Sequence, residues 1–233
     1  VIKTQDIKEA DKLVWIFTEK LGKLTSVAKG AKRSKSRFLS LTLPFCYADY
    51  LLYSGRNLFS ISEGSIISSF QELLVDLDSI TYASYLCELI DIALPENESN
   101  REVFKNLVSA LYFLKSGAVD KELIARAFEV KLLHHTGYGL NLGNCCFCKA
   151  PLNISDYINT DYYGGICSDC ERVGGIKISN GAYKALEFIN STSMDKVLRI
   201  NLSVEVKNDL YRVLNALIVS AYGRKPKSLE IFN

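Results

Sequence analysis

The sequence predicts an α+β protein: an N-terminal OB-fold β-barrel, then an α-helical bundle domain carrying an inserted zinc module with four cysteine ligands. Three observations lead there. Short runs rich in β-branched and aromatic residues, separated by turn residues, fill the first third of the chain. From Ser69 the apolar residues switch to helical spacing. Within the helical part, Cys145-Cys-Phe-Cys148 is answered by Cys167-Ser-Asp-Cys170. The expected boundaries are 1–68 for the OB-fold domain and 69–233 for the helical domain, with the zinc module inserted at about 143–176.

Leu13-Val-Trp-Ile-Phe-Thr18 reads as a strand, Glu19 to Lys23 as a turn, and Leu24-Thr-Ser-Val-Ala28 as the returning strand. Phe45 to Tyr53 is a third run, Ser54-Gly-Arg-Asn57 a hairpin turn, and Leu58-Phe-Ser-Ile-Ser62 an alternating, half-buried strand. Several short strands in so little chain suit a small closed barrel. Between the hairpins, Lys29, Lys32, Arg33, Lys35 and Arg37 fall within nine residues that hold no acid and are spaced by small residues. Such a loop can follow a phosphate backbone, although a charged loop is often simply solvated. Phe38, Phe45, Tyr47, Tyr50 and Tyr53 lie nearby as stacking surfaces or core; on an alternating strand Tyr47 and Tyr53 share one face and Tyr50 takes the other.

Phe70, Leu73, Leu74, Leu77, Ile80, Tyr85 and Leu89 repeat with a helical period, and Ser69 with Glu72 reads as a capping box; Pro95 ends this helix. Asn100 to Leu114 makes a second helix closed by Ser116-Gly117, and Asp120 to Thr136 a third, capped by Asp120 and stopped by Gly137. In the third, Ala127, Phe128, Leu132 and Leu133 read as core. Arg126 and Lys131 fall on other faces, open to solvent or to a partner's carboxylate. Ser179 opens a helix through Ile189, and Ser203 another through Ala221.

Two Cys-x-x-Cys turns, each aiming two sulfurs at one point, with a short hairpin's worth of chain between them, fit one tetrahedral Zn2+ held by Cys145, Cys148, Cys167 and Cys170. Four thiolates fill the tetrahedron and leave no position for water, so the ion is expected to be structural. Cys146 is the spare thiol. A nucleobase deaminase would need a third ligand and a glutamate in His-x-Glu or Cys-x-Glu, which His134-His-Thr136 does not offer. No Walker A motif appears, so ATP hydrolysis is unsupported.

No apolar run is long enough for a bilayer, and Val1-Ile-Lys-Thr-Gln lacks a secretory segment, so the expected location is cytoplasmic, with no membrane contact. The net charge of +2 is uneven: residues 1–68 carry +5, 69–140 carry −5 and 141–233 carry +2, which points to modules with different partners.

Ile2-Lys-Thr-Gln5, Glu9-Ala-Asp-Lys-Leu13, Phe17-Thr18, Leu21-Gly22, the loop from Ala28 to Arg37, Ala83-Ser-Tyr85, Phe128-Glu129, Gly137-Tyr-Gly139 and the paired cysteines together resemble the RecO family of bacterial recombination mediators, in order along almost the whole chain. The family usually has one more strand's worth of chain between the Ile-Lys-Thr start and the Glu-Ala-Asp motif, a departure that bears on barrel closure. The resemblance implies binding of single- and double-stranded DNA, annealing of complementary strands, contact with the acidic C-terminal tail of single-stranded DNA-binding protein, and work with RecR in loading RecA. It also implies that zinc stabilises the fold without being needed for activity, since some members lack the cysteines. By resemblance to the family's Arg-x-Phe-Glu helix, Arg126 is the candidate for the partner tail. The competing reading is a zinc-ribbon module that docks proteins and touches DNA only incidentally.

Overall fold

The computed structural model describes residues 1–56, 58–197 and 199–228. Val1–Gly117, with the segment that begins at Lys227, forms one compact unit, and Ala118–Pro226 forms another.

The first unit is built on β1 (Lys3–Ile7), β2 (Asp11–Thr18), β3 (Gly22–Ala28), β4 (Tyr47–Ser54) and β5 (Phe59–Ser68). They form one sheet in the order β1-β2-β3-β5-β4, antiparallel except where β3 meets β5. This order is compatible with an OB-fold, but among the described residues the sheet does not close. The expected barrel is corrected in this respect. Closure asks one strand to run long enough to bend from β2 across to β4, whereas β1 has five residues, pairs with β2 from Lys3↔Trp15 to Ile7↔Asp11, and forms no ladder with β4 on its other edge. Among the described residues Val1, just ahead of β1, reaches toward β4: Phe45 N donates to its carbonyl at 3.0 Å and its own amine donates to Cys46 O at 2.7 Å. The open side is an apolar cavity of about 420 Å3 lined by residues such as Ile2, Ile16, Phe17, Leu52 and Phe104.

Alternation decides what the sheet buries. Val14 and Ile16 on β2, Leu24 and Ala28 on β3 and Ile61 on β5 point to one side and pack with Phe38, Tyr50, Leu52 and Phe59. The predicted turn at Glu19–Lys23 gives its last two residues to β3. Gly22 there has φ +72°, and a Cβ on it would lie 2.0 Å from the Glu98 carbonyl oxygen, so only glycine fits.

Helices α1 (Leu77–Ala93) and α2 (Arg101–Ser116) belong to this unit. The Phe104 ring of α2 meets Phe17 and Tyr47 edge-on at 5.6 and 6.1 Å. Lys23 Nζ donates to the Asp91 carbonyl at 2.7 Å and to its carboxylate at 3.1 Å. The capping box expected at Ser69 is not formed: Phe70 is left-handed at φ 52°, a 3-10 turn runs over Gln71–Val75, and α1 starts after Asp76, whose carboxylate accepts from Ser79 N at 3.0 Å. Asn100 and Gly117 delimit α2 as the sequence predicts.

The second unit is organised around α3 (Lys121–His135), capped by Asp120. Every residue from Leu123 to Leu133 is buried, so this helix has no solvent face and forms the centre of its bundle. Around it pack α4 (Asn180–Ser191), the single turn α5 (Met194–Val197) and α6 (Val204–Tyr222), with Ser179 and Ser203 as the caps the sequence marks. Ala182, Leu186 and Ile189 of α4 and Leu210, Leu214, Leu217 and Ile218 of α6 are the inward stripes. Each fully buried leucine or isoleucine contributes about 1.5–3 kcal/mol. Between α3 and α4 the chain makes a three-stranded sheet, β7-β6-β8, from β6 (Tyr157–Asn159), β7 (Gly164–Gly165) and β8 (Gly175–Lys177). Among the described residues no helix is long and apolar enough to cross a membrane.

Candidate nucleic-acid interface and candidate metal centre

The basic loop leaves the end of β3 as a series of turns fixed by the backbone. Gly30 N donates to the Asp11 carboxylate at 2.8 Å, Lys32 N to Ala10 O at 3.0 Å and Ser36 N to Arg33 O at 2.9 Å. Ala31 is buried beneath the sheet, which pins the loop's base and pushes its polar residues outward. Lys29, Lys32, Arg33, Lys35 and Arg37 are all exposed.

The five cations are not equivalent. Lys32 Nζ pairs with Asp6 Oδ2 at 2.9 Å, a hydrogen bond that holds the Asp6 carboxyl below its ordinary pKa. Arg37 donates to the Ser62 carbonyl at 2.7 Å, and its guanidinium carbon lies 5.0 Å from the Phe38 ring centre, so it keeps its charge while gaining a fixed position. Among the described residues no carboxylate pairs with Lys29, Arg33 or Lys35.

The aromatic set divides. Phe45 is core, Tyr50 is half-buried and donates to Leu41 O at 2.7 Å, and Tyr47 lies against Phe104. Tyr53 is 63% exposed. Asp49, Leu51 and Tyr53 face solvent together by simple alternation along β4, since the residue skipped at the register shift is Ser62 of β5. Tyr53 pairs with Ser60, and Ser60 with Val27, two residues before Lys29, so one row across the sheet joins the exposed ring to the root of the basic loop.

In the second unit the sulfurs of Cys145, Cys148, Cys167 and Cys170 lie within 4.8 Å of one another, and Cys148 Sγ is 3.6 Å from Cys167 Sγ. A tetrahedron of sulfurs at the Zn–S distance has edges of about 3.8 Å, so the donor set and its spacing fit zinc. Each turn is made by the backbone: Lys149, at φ 63°, donates its N–H to Cys145 O at 3.1 Å, and Cys170 N donates to Cys167 O at 3.4 Å. β7 delivers the second pair. Cys146 N donates to Gly165 O at 2.9 Å, and Ser155 Oγ holds Ile166 through both its N–H and its carbonyl.

Burial opposes ionisation of Cys145, but N–H groups of Cys167, Cys148 and Phe147 converge on its sulfur and outweigh burial, lowering its pKa to about 6. Cys170 is pushed the other way, to about 12, by hydrogen bonding with the Cys167 and Cys148 sulfurs. Four thiols this close cannot all ionise without a cation among them, and a dication would supply that charge. Cys146 is buried outside the group of four, as the spare thiol should be.

The family models settle the relationship. The description "Recombination protein O N terminal" matches residues 1–70 and "Recombination protein O C terminal" matches residues 74–230. The chain belongs to the RecO family. It is 54% identical to the DNA repair protein RecO of Clostridium perfringens strain 13 over 231 residues, covering 99% of this chain and 94% of that one. It is 52% identical to the DNA repair protein RecO of Clostridium novyi over 233 residues, covering 100% and 91%, and 32% identical to that of Desulforamulus reducens over 238 residues, covering 100% and 91%.

One residue carried over from the RecO resemblance lies where the sequence did not place it. Arg126, expected on an accessible face, is 1% exposed. Its guanidinium bonds Glu129, itself 0% exposed, at 3.0 Å and lies 5.1 Å from the Tyr211 ring centre. Lys131, also expected outside, is buried and donates to Ile189 O at 2.7 Å and Asn190 O at 3.2 Å, neutralising the carbonyl end of α4; burial lowers its pKa. The cause of both differences is that α3 is packed on every side. His134 and His135 end α3 with their rings 5.0 Å apart, away from the sulfurs in the metal group. The residues that sequence reasoning missed are Ser155 and Tyr183, whose hydroxyl donates to Leu142 O and ties the four-cysteine module to α4. A lone serine or tyrosine carries no spacing signal, so nothing in the sequence could have singled them out.

Proposed function

We propose that this chain is a DNA repair and recombination mediator that binds single- and double-stranded DNA through Lys29, Lys32, Arg33, Lys35 and Arg37, anneals complementary strands coated with single-stranded DNA-binding protein, and acts with RecR to load RecA. The observation that carries this reading is the exposed, backbone-fixed loop of five cations, in a chain whose relatives are named DNA repair proteins. Contacts of this kind go to phosphate, so they are independent of sequence and release condensed counterions. Annealing follows from the same physics. A cationic surface that holds two strands offsets their repulsion and raises the local concentration of complementary bases, and base pairing then selects the partner.

No bond is made or broken in that process, and no nucleophile is required. The zinc held by Cys145, Cys148, Cys167 and Cys170 would brace the second unit and supply no chemistry to DNA. Work on the chromosome places the chain in the cytoplasm. The acidic tail of single-stranded DNA-binding protein remains part of the reading, but enclosure of Arg126 by Glu129 and Tyr211 removes the support for that residue as its receptor.

The test is annealing of complementary oligonucleotides pre-coated with single-stranded DNA-binding protein, with and without RecR. Accelerated annealing that fails in the Lys32, Arg33, Lys35, Arg37 to alanine variant is the expected result. A chain that docks on the coating protein and leaves the annealing rate unchanged would instead be a docking module.

A further inference from the structure

The acidic middle of the sequence lies outside the DNA interface proposed above, and the first unit presents part of it in an unusual way. Leu74, Val75, Asp76, Leu77 and Asp78 are five consecutive exposed residues, with Leu74, Val75 and Leu77 at 40%, 89% and 66% exposure. Scattered surface leucines are ordinary, but three large apolar side chains projecting from one five-residue knob are not.

The knob is held rigidly. Phe70 and Leu73 at its base are buried, and Phe70 packs edge-on against Tyr112 at 4.8 Å. Gln71 donates to Pro44 O at 3.1 Å, Glu72 pairs with Lys115 at 2.8 Å, and the Asp76 carboxylate takes the Ser79 hydroxyl at 2.6 Å. Phe70 is left-handed at φ 52°, which a bulky residue adopts only at a cost that its surroundings impose, and this reversal turns the following residues outward. A preformed protrusion loses little conformational entropy when it is bound.

Its charge selects the occupant. Asp76 and Asp78 alternate with the apolar residues and no cation stands among Leu74–Asp78, so a phosphate backbone would be repelled. We propose that the knob Leu74–Asp78 is a docking surface for a folded protein that offers an apolar cleft rimmed by lysine or arginine, and that it makes no contact with DNA. The inference rests on the function proposed above, in which RecR is the folded protein partner, and it assigns that partner a surface separate from the basic loop.

Purified RecR is the probe, with binding followed by interferometry and oligo-dT binding measured on the same samples. In the Val75→Asp/Leu77→Asp variant, RecR affinity falls at least tenfold while oligo-dT affinity is unchanged. The milder Leu77→Ser change lowers RecR affinity in the same direction, and Asp78→Lys lowers it most at low salt. Both carboxylate substitutions lie at exposed positions, and an unaltered melting curve confirms that the fold persists. A Val75→Asp/Leu77→Asp variant that holds RecR as tightly as the parent overturns the docking assignment and leaves the proposed function standing. Equal loss of RecR and oligo-dT binding also overturns it. A parent chain that fails to bind RecR removes the partner reading and the docking assignment together.

Discussion

Replacing Lys32, Arg33, Lys35 and Arg37 with alanine should flatten the salt dependence of single-strand binding by an amount that can be worked from their partners. Each phosphate neutralised on a single strand adds about 0.7 to the slope of log affinity against log salt. Arg33 and Lys35 have no carboxylate partner among the described residues, and Arg37 is hydrogen-bonded only to a carbonyl, so these three count in full. Lys32 is already paired with Asp6 at 2.9 Å and counts for less. The expected change in slope is therefore between about 2 and 3. Over a fourfold rise in salt the parent loses roughly 20- to 50-fold more affinity than the variant. Asp6→Asn supplies a check in the opposite direction: it releases Lys32 and should steepen the parent's slope by up to about 0.7. Fluorescence anisotropy with labelled oligo-dT from about 50 to 200 mM salt measures both. An identical slope in parent and quadruple variant would refute the assignment of the loop to DNA, and an unchanged slope in Asp6→Asn would refute the claim that Lys32 is masked.

The exposed ring of Tyr53, in register with the root of the basic loop, should stack on an unpaired base; Tyr53→Ala should weaken oligo-dT binding by about 1–3 kcal/mol and leave duplex binding unchanged in the same anisotropy assay. Elemental analysis of purified protein should find one zinc per chain, and Cys148→Ser should lose it and lower the stability of the second unit, followed by its melting midpoint, by less than the roughly 10–16 kcal/mol with which zinc binds small folds that depend on it. Arg126→Ala should destabilise the second unit by about 3–5 kcal/mol in denaturant titration, because it leaves the buried Glu129 carboxylate without this guanidinium; near-parental stability would reopen a recognition role for Arg126. Burial opposes the Asp209 carboxylate, but Ser179 and Arg212 outweigh it and hold its pKa below the ordinary 3.8. A carboxylate depressed by folding contributes stability above its unfolded pKa and loses it as pH falls through the folded one. The second unit should therefore weaken as pH drops below about 4, less steeply in Asp209→Asn, as read by circular dichroism.

Local chemistry made much of this legible in the sequence. Asp120, Ser179, Ser203, Asn100 and Gly117 mark helix ends because a side-chain oxygen or a left-handed glycine satisfies backbone groups there, whatever lies farther away. The four cysteines announce themselves through turn geometry for the same reason. The misses depend on tertiary placement. Ser69 and Glu72 have the spacing of a capping box, but Phe70 is buried in the first unit and reverses the chain, so the cap moves to Asp76. Arg126 and Lys131 look amphipathic by period, yet α3 is enclosed and their charges are satisfied by Glu129 and by the end of α4. The unclosed sheet likewise reflects how short β1 is and where its ladder ends, which no residue type announces.

A helix enclosed on all sides, as α3 is, has consequences for descent as well as for folding. A substitution anywhere from Leu123 to Leu133 presses on several neighbours at once, so it survives only with matched changes elsewhere. Change in the second unit is therefore expected first in its turns and outer faces, where a new side chain presses on little else, and last along this helix.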